Sequence, residues 1–292
     1  MDLTWTDLVD FSDYGELLPL VSNSLWAGAA LGLVGGLVGV FVVVRDQPFA
    51  VHGIAELSFA GAAGALLLGG SVVAGSFVGS LLAAALIGAL GTRARERNSV
   101  IGVLMPFGLG LGILFLALYQ GRAANKFGLL TGQIVAVDDS SLVTLTLTCA
   151  VVLVLLVAIW RPLMFASVDP EVAAARGVPT LTLHALFMLL LGCIVAVAVQ
   201  VVGALLVLAL LCTPAAAAIR LSTSPIVMPL LSAGFALVSM LGGILLALGT
   251  SIPISPYVTT ISFAIYLLTR VWPRSESPST RHTGEVVDRA PA

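Results

Sequence analysis

Apolar residues run along this chain in stretches of about 20, separated by short polar or glycine-rich interruptions. A hydrocarbon core about 30 Å thick is crossed by about 20 residues of helix. On that measure the pattern predicts spans near 24–44, 51–70, 72–90, 100–119, 141–160, 181–199, 201–219, 226–249 and 255–272. Backbone polar groups in lipid must be satisfied within the segment, so the spans are read as helices. The fold class expected is an all-α polytopic membrane protein with about nine crossings. Eight are also possible, because Gly69-Gly70, Gln200 and Gly203 mark turns whose placement decides the count. The stretch 127–137, "FGLLTGQIVAV", is open to reading as a partly inserted segment.

Charge gives these spans a direction. Arg45, "RARER" (93–97), Arg161, Arg176, Arg220, Arg270 and Arg274 follow alternate spans and fall on one side if the N-terminus is outside. Arg122 and Lys126 fall on the other side, against the bias. The first residues carry Asp2, Asp7, Asp10, Asp13 and Glu16 where a cleaved secretory signal would carry basic residues. Residues 1–23 are therefore expected as an external N-terminal segment and 1–272 as one transmembrane domain in a bacterial-type cell membrane. The Pro-, Ser- and charge-rich residues 273–292, including His282, are expected as a disordered cytoplasmic tail.

Composition agrees, with 59% hydrophobic and 10% charged residues; soluble domains are about 25% charged. Cys149, Cys193 and Cys212 lie in long apolar runs without paired spacing, which reads as core packing rather than a disulfide framework or a thiolate metal site. The single lysine, Lys126, is followed by Phe127, whereas a P-loop needs Gly-Lys-Ser/Thr to hold phosphates. No H-E-x-x-H is present. The chain is thus not expected to be an ATPase of that kind, and if ATP drives it the energy arrives from another subunit.

Two polar features stand out. In "FAVHGIAELSFAGAAGALLLGG" (49–70), His52 and Glu56 lie four residues apart in an otherwise apolar span. Residues at i and i+4 on a helix have Cβ atoms about 5–6 Å apart, near enough for an imidazole and a carboxylate to share a cation. An ionised group in lipid costs roughly 3 kcal/mol or more, so Glu56 should face a cavity, a partner or an ion. The alternative is that the two side chains bond each other and join two spans. The second feature is "RPLMFASVDPEVAAARGV" (161–178): Asp169 can cap a short helix, Pro170 fits its first position, Glu171 suits the positive end of its dipole, and Gly177 ends it. His184 reads as an interfacial histidine. Met105-Pro106 should kink the fourth span, and Gln133 and Gln200 either line a path or bond between helices.

Four blocks, in order, are similar to the permease subunits of the zinc and manganese class of ABC importers. They are "RNSVIGVLMPFGLGLGILFL" (97–116), "FGLLTGQIVAV" (127–137), "RPLMFASVDPEVAAARGV" (161–178) and "QVVGALLVLALLCTPAAAAIRL" (200–221), and the resemblance extends from about residue 25 to 272. It implies a homodimeric permease in membrane lipid that imports Zn2+ or Mn2+ as cargo, with no permanently bound cofactor and no nucleic-acid partner. A cytoplasmic ATPase subunit would dock at 161–178, where the matching positions are Asp169, Pro170, Glu171 and Gly177 and where Arg176 is a further surface candidate. A metal-binding protein would deliver ions from outside. The family's second-span pattern is Gly-Asp-Ala-x-Ser-His-x-x-x-Pro-Gly, with the Asp and His as ligands. Aligning its last glycine with Gly61 puts His52 on the Asp position and Glu56 on the His position, and Ala60 in place of the proline. A gradient-driven secondary carrier using His52 and Glu56 as a proton relay is the rival reading. An intramembrane metal enzyme is a third, poorly supported by two ligands alone.

Overall fold

The computed structural model describes residues 15, 18–19, 21–90, 94–121, 128–129, 132, 137–204, 206–250 and 253–271, with backbone alone at 94–97. Residues 1–14, Arg122, Lys126, most of 127–137 with Gln133, and 272–292 with Arg274 and His282 lie outside the described residues.

Every regular element among the described residues is a helix: α1 Ser22–Val44, α2 Pro48–Leu67, α3 Val72–Leu90, α4 Ala94–Leu118, α5 Asp139–Val168, α6 Pro170–Ala175, α7 Thr180–Val202, α8 Val207–Leu221, α9 Val227–Leu248 and α10 Ile254–Val271. Eight of these are long and apolar enough to cross a bilayer. The seventh expected span, 201–219, is the difference. Here α7 continues to Val202, Gly203 takes a φ of +82°, and α8 begins only at Val207. At 15 residues, or about 22 Å, α8 is shorter than the hydrocarbon core is thick. The hydroxyl of Ser255 on α10 donates to Val202 O at 2.9 Å, satisfying a carbonyl that the break leaves without a helical partner.

The expected loop 161–178 is also shorter than the sequence suggests, because α5 is a continuous helix of 30 residues that contains Pro162. Its last turns are held by burial, since Leu163 and Ala166 lie in the core. α4 also runs through Pro106 without a break, although Val103, Pro106 and Phe107 are exposed. In α5 the lost amide bond of proline is outweighed by packing of the residues around it.

Two groups of helices share the core. In one, α2 packs extensively on both α3 and α4; in the other, α1 lies against α9 and α8, which carry α10. α7 joins them through α3, α5 and α2, while α5 leans on α1 and α7. The α2–α3 contact is nearly backbone to backbone: a Cβ on Gly61 would fall on the carbonyl oxygen of Gly75, and one on Gly79 on that of Leu57. Lipid tails are as apolar as leucine, so such close fit and interhelical hydrogen bonds, rather than hydrophobicity, hold helices together. Here Ser58 Oγ and Ser76 Oγ are 2.7 Å apart, and Ser76 donates to Ala196 O at 3.0 Å, linking α2, α3 and α7. Across the second group, Ser232 of α9 donates to Gly36 O of α1 at 2.6 Å.

Gly79→Leu should therefore force α2 and α3 apart and cost about 1–3 kcal/mol, the range for overpacking. Gly110→Leu, where a Cβ meets nothing within 4 Å, should be neutral. Thermal unfolding of the two purified variants in detergent checks the contrast.

Candidate metal site

Pro48 opens α2 at a position where its missing amide proton costs nothing, and the helix then carries His52 and Glu56 on successive turns of one face. His52 Nε2 stands 3.5 Å from Glu56 Oε1. Two donors each about 2.1 Å from a tetrahedral ion stand about 3.4 Å apart, so the pair already has the span of two metal ligands.

Burial separates the two roles. The Glu56 side chain is 3% exposed and that of His52 is 26% exposed. Glu56 is covered because α4 comes unusually near: a Cβ on Gly108 would lie 3.0 Å from the Glu56 carbonyl carbon. Neither Glu56 Oε2 nor His52 Nδ1, both buried atoms, has a hydrogen-bond partner. A buried carboxylate oxygen without a donor is costly unless a proton or a cation meets it. The chemistry of the pair, one imidazole and one carboxylate, suits a divalent ion of the zinc or manganese type.

Two ligands are half of a shell. No group of three or more His, Cys, Asp or Glu side chains comes together among the described residues. Cys149, Cys193 and Cys212 are free thiols on α5, α7 and α8 and stay outside this pair. The partial exposure of His52 leaves its side of the pair open to water, to backbone oxygens or to another subunit.

The second sequence feature forms as its residues dictate. Asp169 takes an extended conformation and its carboxylate accepts from Val172 N–H at 3.0 Å, Pro170 and Glu171 occupy the first turn, and α6 ends after Ala175. Gly177, at φ +81°, closes it with a paired motif in which Val178 N–H bonds Ala173 O and Gly177 N–H bonds Ala174 O. Asp169, Glu171, Arg176 and Gly177 are exposed and close together on this element, far along the chain from the His52–Glu56 pair.

A cluster that the sequence does not reveal lies between the two features. His184, in the first turns of α7, is buried, and its Nδ1 lies 3.2 Å from Arg45 Nη2 and 3.5 Å from Gln47 Nε2. These partners are 139 and 137 residues apart in sequence. Only the polar Gln47 just ahead of Pro48 hints at them. At the opposite end of α7, Gln200 bonds Ala196 O of its own helix at 3.0 Å rather than a neighbour. With Ser141 and Thr144 it lines a cavity of about 290 Å³.

Residues 18–272 match the ABC 3 transport family. The chain is 28% identical over 279 residues to the manganese transport system membrane protein MntC of Halalkalibacterium halodurans, covering 95% of each chain. It is 30% identical over 266 residues to the manganese import system permease protein ScaB of Streptococcus pneumoniae, covering 89% of this chain and 93% of that one. Among solved structures, PsaBC from Streptococcus pneumoniae in complex with Fab superposes with a TM-score of 0.78 at 26% identity, over 88% of this chain and 95% of that chain.

If the orphaned oxygen of Glu56 marks an ion site, Mn2+ or Zn2+ should raise the unfolding temperature of the purified protein, because a ligand that binds only the folded state stabilises it. At an ion concentration of 100 times the dissociation constant the gain is about 2.7 kcal/mol. Glu56→Gln should remove that rise while leaving the metal-free unfolding temperature equal or higher, and a thermal-shift titration reads both.

Proposed function

This chain belongs to the ABC 3 transport family, and on that premise we propose that it is the transmembrane permease subunit of an ABC importer for a divalent metal ion, manganese or zinc. ATP hydrolysis is supplied by a separate cytoplasmic subunit docked on α6, and a metal-binding protein delivers the ion on the opposite face. The N-terminus lies outside, which puts Arg45, Arg161 and Arg176 in the cytoplasm, as the bias of basic residues favours; Arg220 and Arg270 share that side when the 15-residue α8 also passes through the membrane. The relatives' names weigh for manganese. Imidazole and carboxylate serve either ion, so selectivity rests on geometry and on which ion is delivered. The family places the gradient-driven carrier reading at a disadvantage.

The observation that carries this reading is the buried, partnerless Glu56 Oε2 beside an imidazole nitrogen at ligand spacing, on a helix within a metal-transport family fold. A hydrated ion arriving at α2 exchanges waters for Glu56 and His52. Glu56 supplies the charge that offsets lost hydration, and His52, the more exposed of the two, meets the ion first. An incomplete shell suits cargo: an ion held by two protein ligands can leave again when the surrounding helices move. A second copy of the chain brings a second half-shell, and a homodimer is part of the proposal.

Manganese uptake by cells carrying His52→Ala or Glu56→Ala, with equal amounts of protein in the membrane, should fall at least about tenfold. Full uptake in both variants overturns the ligand assignment. Docking is tested separately. Asp169→Ala removes a cap worth about 1 kcal/mol, so α6 should fray and recovery of the ATPase on affinity purification should drop while the permease itself remains stable.

A further inference from the structure

Between α6 and α2 lies a polar knot in which Gln47 and His184 are buried and Arg45 and Ser167 half-buried. α1 ends in a paired capping motif: Asp46 N–H bonds Val43 O at 3.1 Å and Gln47 N–H bonds Val42 O at 2.8 Å, with Asp46 in the left-handed region at φ +53°. That tight turn delivers Arg45 and Gln47 to the same place. Arg45 Nη1 donates to Ser167 Oγ at 3.1 Å, and Ser167 spends its own proton on Leu163 O at 2.6 Å. Guanidinium has donors only, so the 3.2 Å contact from Arg45 Nη2 requires a lone pair on His184 Nδ1. His184 Nδ1 thus serves as the acceptor for Arg45, and Gln47 Nε2 stands 3.5 Å from the same nitrogen. Beneath the knot, Phe41 meets Trp160 edge to face at 4.9 Å, and Arg45 sits 5.5 Å above the Phe187 ring.

The ends of this knot matter. Ser167 lies two residues before Asp169, the cap of α6. Gln47 is the residue from which α2 starts, five residues before His52, or about 7.5 Å along the helix. We infer that Arg45, Gln47 and His184 are positioning residues through which movement of α6 reorients α2 and with it the His52–Glu56 pair. The inference rests on the permease reading above.

Two observations give the knot the means to switch. It borders a cavity of about 430 Å³ whose walls include Ser167, Pro170, Thr180 and His184, so its side chains have room to rearrange. Gln47 is 2% exposed, and its Oε1 is buried without a hydrogen-bond partner. A buried amide oxygen left unmatched is a cost that a second arrangement can relieve. Interiors with two discrete packings transmit motion where a uniformly packed one would only strain.

The test uses the permease assembled with its ATPase and metal-binding protein in proteoliposomes, with Mn2+ as the probe, and counts ions carried per ATP hydrolysed. His184→Ala removes the acceptor. It should leave complex recovery and unstimulated ATP hydrolysis in place while lowering ions per ATP about tenfold, within the range of a coupling free energy between sites. His184→Gln, whose oxygen can accept from Arg45, should restore the ratio to within about twofold. A normal ratio in His184→Ala overturns the inference, and so does an equal loss in both variants, which would indicate packing alone. A wild-type complex that hydrolyses ATP but carries neither Mn2+ nor Zn2+ overturns the metal reading instead. The knot is then judged by hydrogen exchange: ATP-dependent protection at the start of α2 that persists in His184→Ala overturns it, and protection lost there supports it.

Discussion

The close seating of α2 against α3 and α4 is the contact on which the rest of the molecule depends. In lipid no hydrophobic force favours one helix face over another, so an element that carries an acid must be walled in by shape. Glycine does this on both sides: Gly61, Gly75 and Gly79 bring the α2 and α3 backbones together, and Gly108 brings α4 onto Glu56. The serine link from Ser58 through Ser76 to Ala196 then ties this packed group to α7. Remove the small residues and Glu56 would meet lipid; with them it meets a space shaped by its neighbours.

The buried polar atoms divide into those that are satisfied and those that are not. Serines at helix crossings find carbonyls, as Ser232 does at Gly36 and Ser255 at Val202. Such bonds hold an arrangement in place. Glu56 Oε2, His52 Nδ1 and Gln47 Oε1 find none. Two belong to the proposed ion pair and the third to the knot below it; Arg220 Nε on α8 and Ser262 Oγ on α10 are unmatched elsewhere in the bundle. A transport protein needs its ligands hungry and its hinges imperfectly satisfied, since full satisfaction would favour one state too strongly.

Most of the architecture was legible in the chain. Seven spans, and the start of α5, were placed to within a few residues, because about 20 apolar residues in a row have one low-energy form in a bilayer. The short helix α6, with Asp169 as its cap, Pro170 at its start and Gly177 beyond its end, was readable because capping is decided by neighbours in sequence. The spacing of His52 and Glu56 was readable for the same reason. The length of α8 was not: hydropathy gives 201–219 as one run, but the break at Gly203 is set by how Ser255 and the surrounding backbones meet it. Nor was the extension of α5 through Pro162, where burial of Leu163 and Ala166 outweighs a residue that usually ends helices.

By itself, then, the sequence determined most of the segments long and apolar enough to cross a membrane, which residue types could hold a divalent ion, and where a short capped helix forms, since each of these depends on contacts within one or two helical turns. Only the tertiary structure decided that Glu56 is enclosed and its second oxygen orphaned, and that His184 is buried against Arg45 and Gln47 from more than 130 residues away. Periodicity tells how a helix divides its faces but not which helix each face will meet. In a chain where nearly every face is apolar, that choice is made by the fit of small residues and a few hydrogen bonds across the bundle.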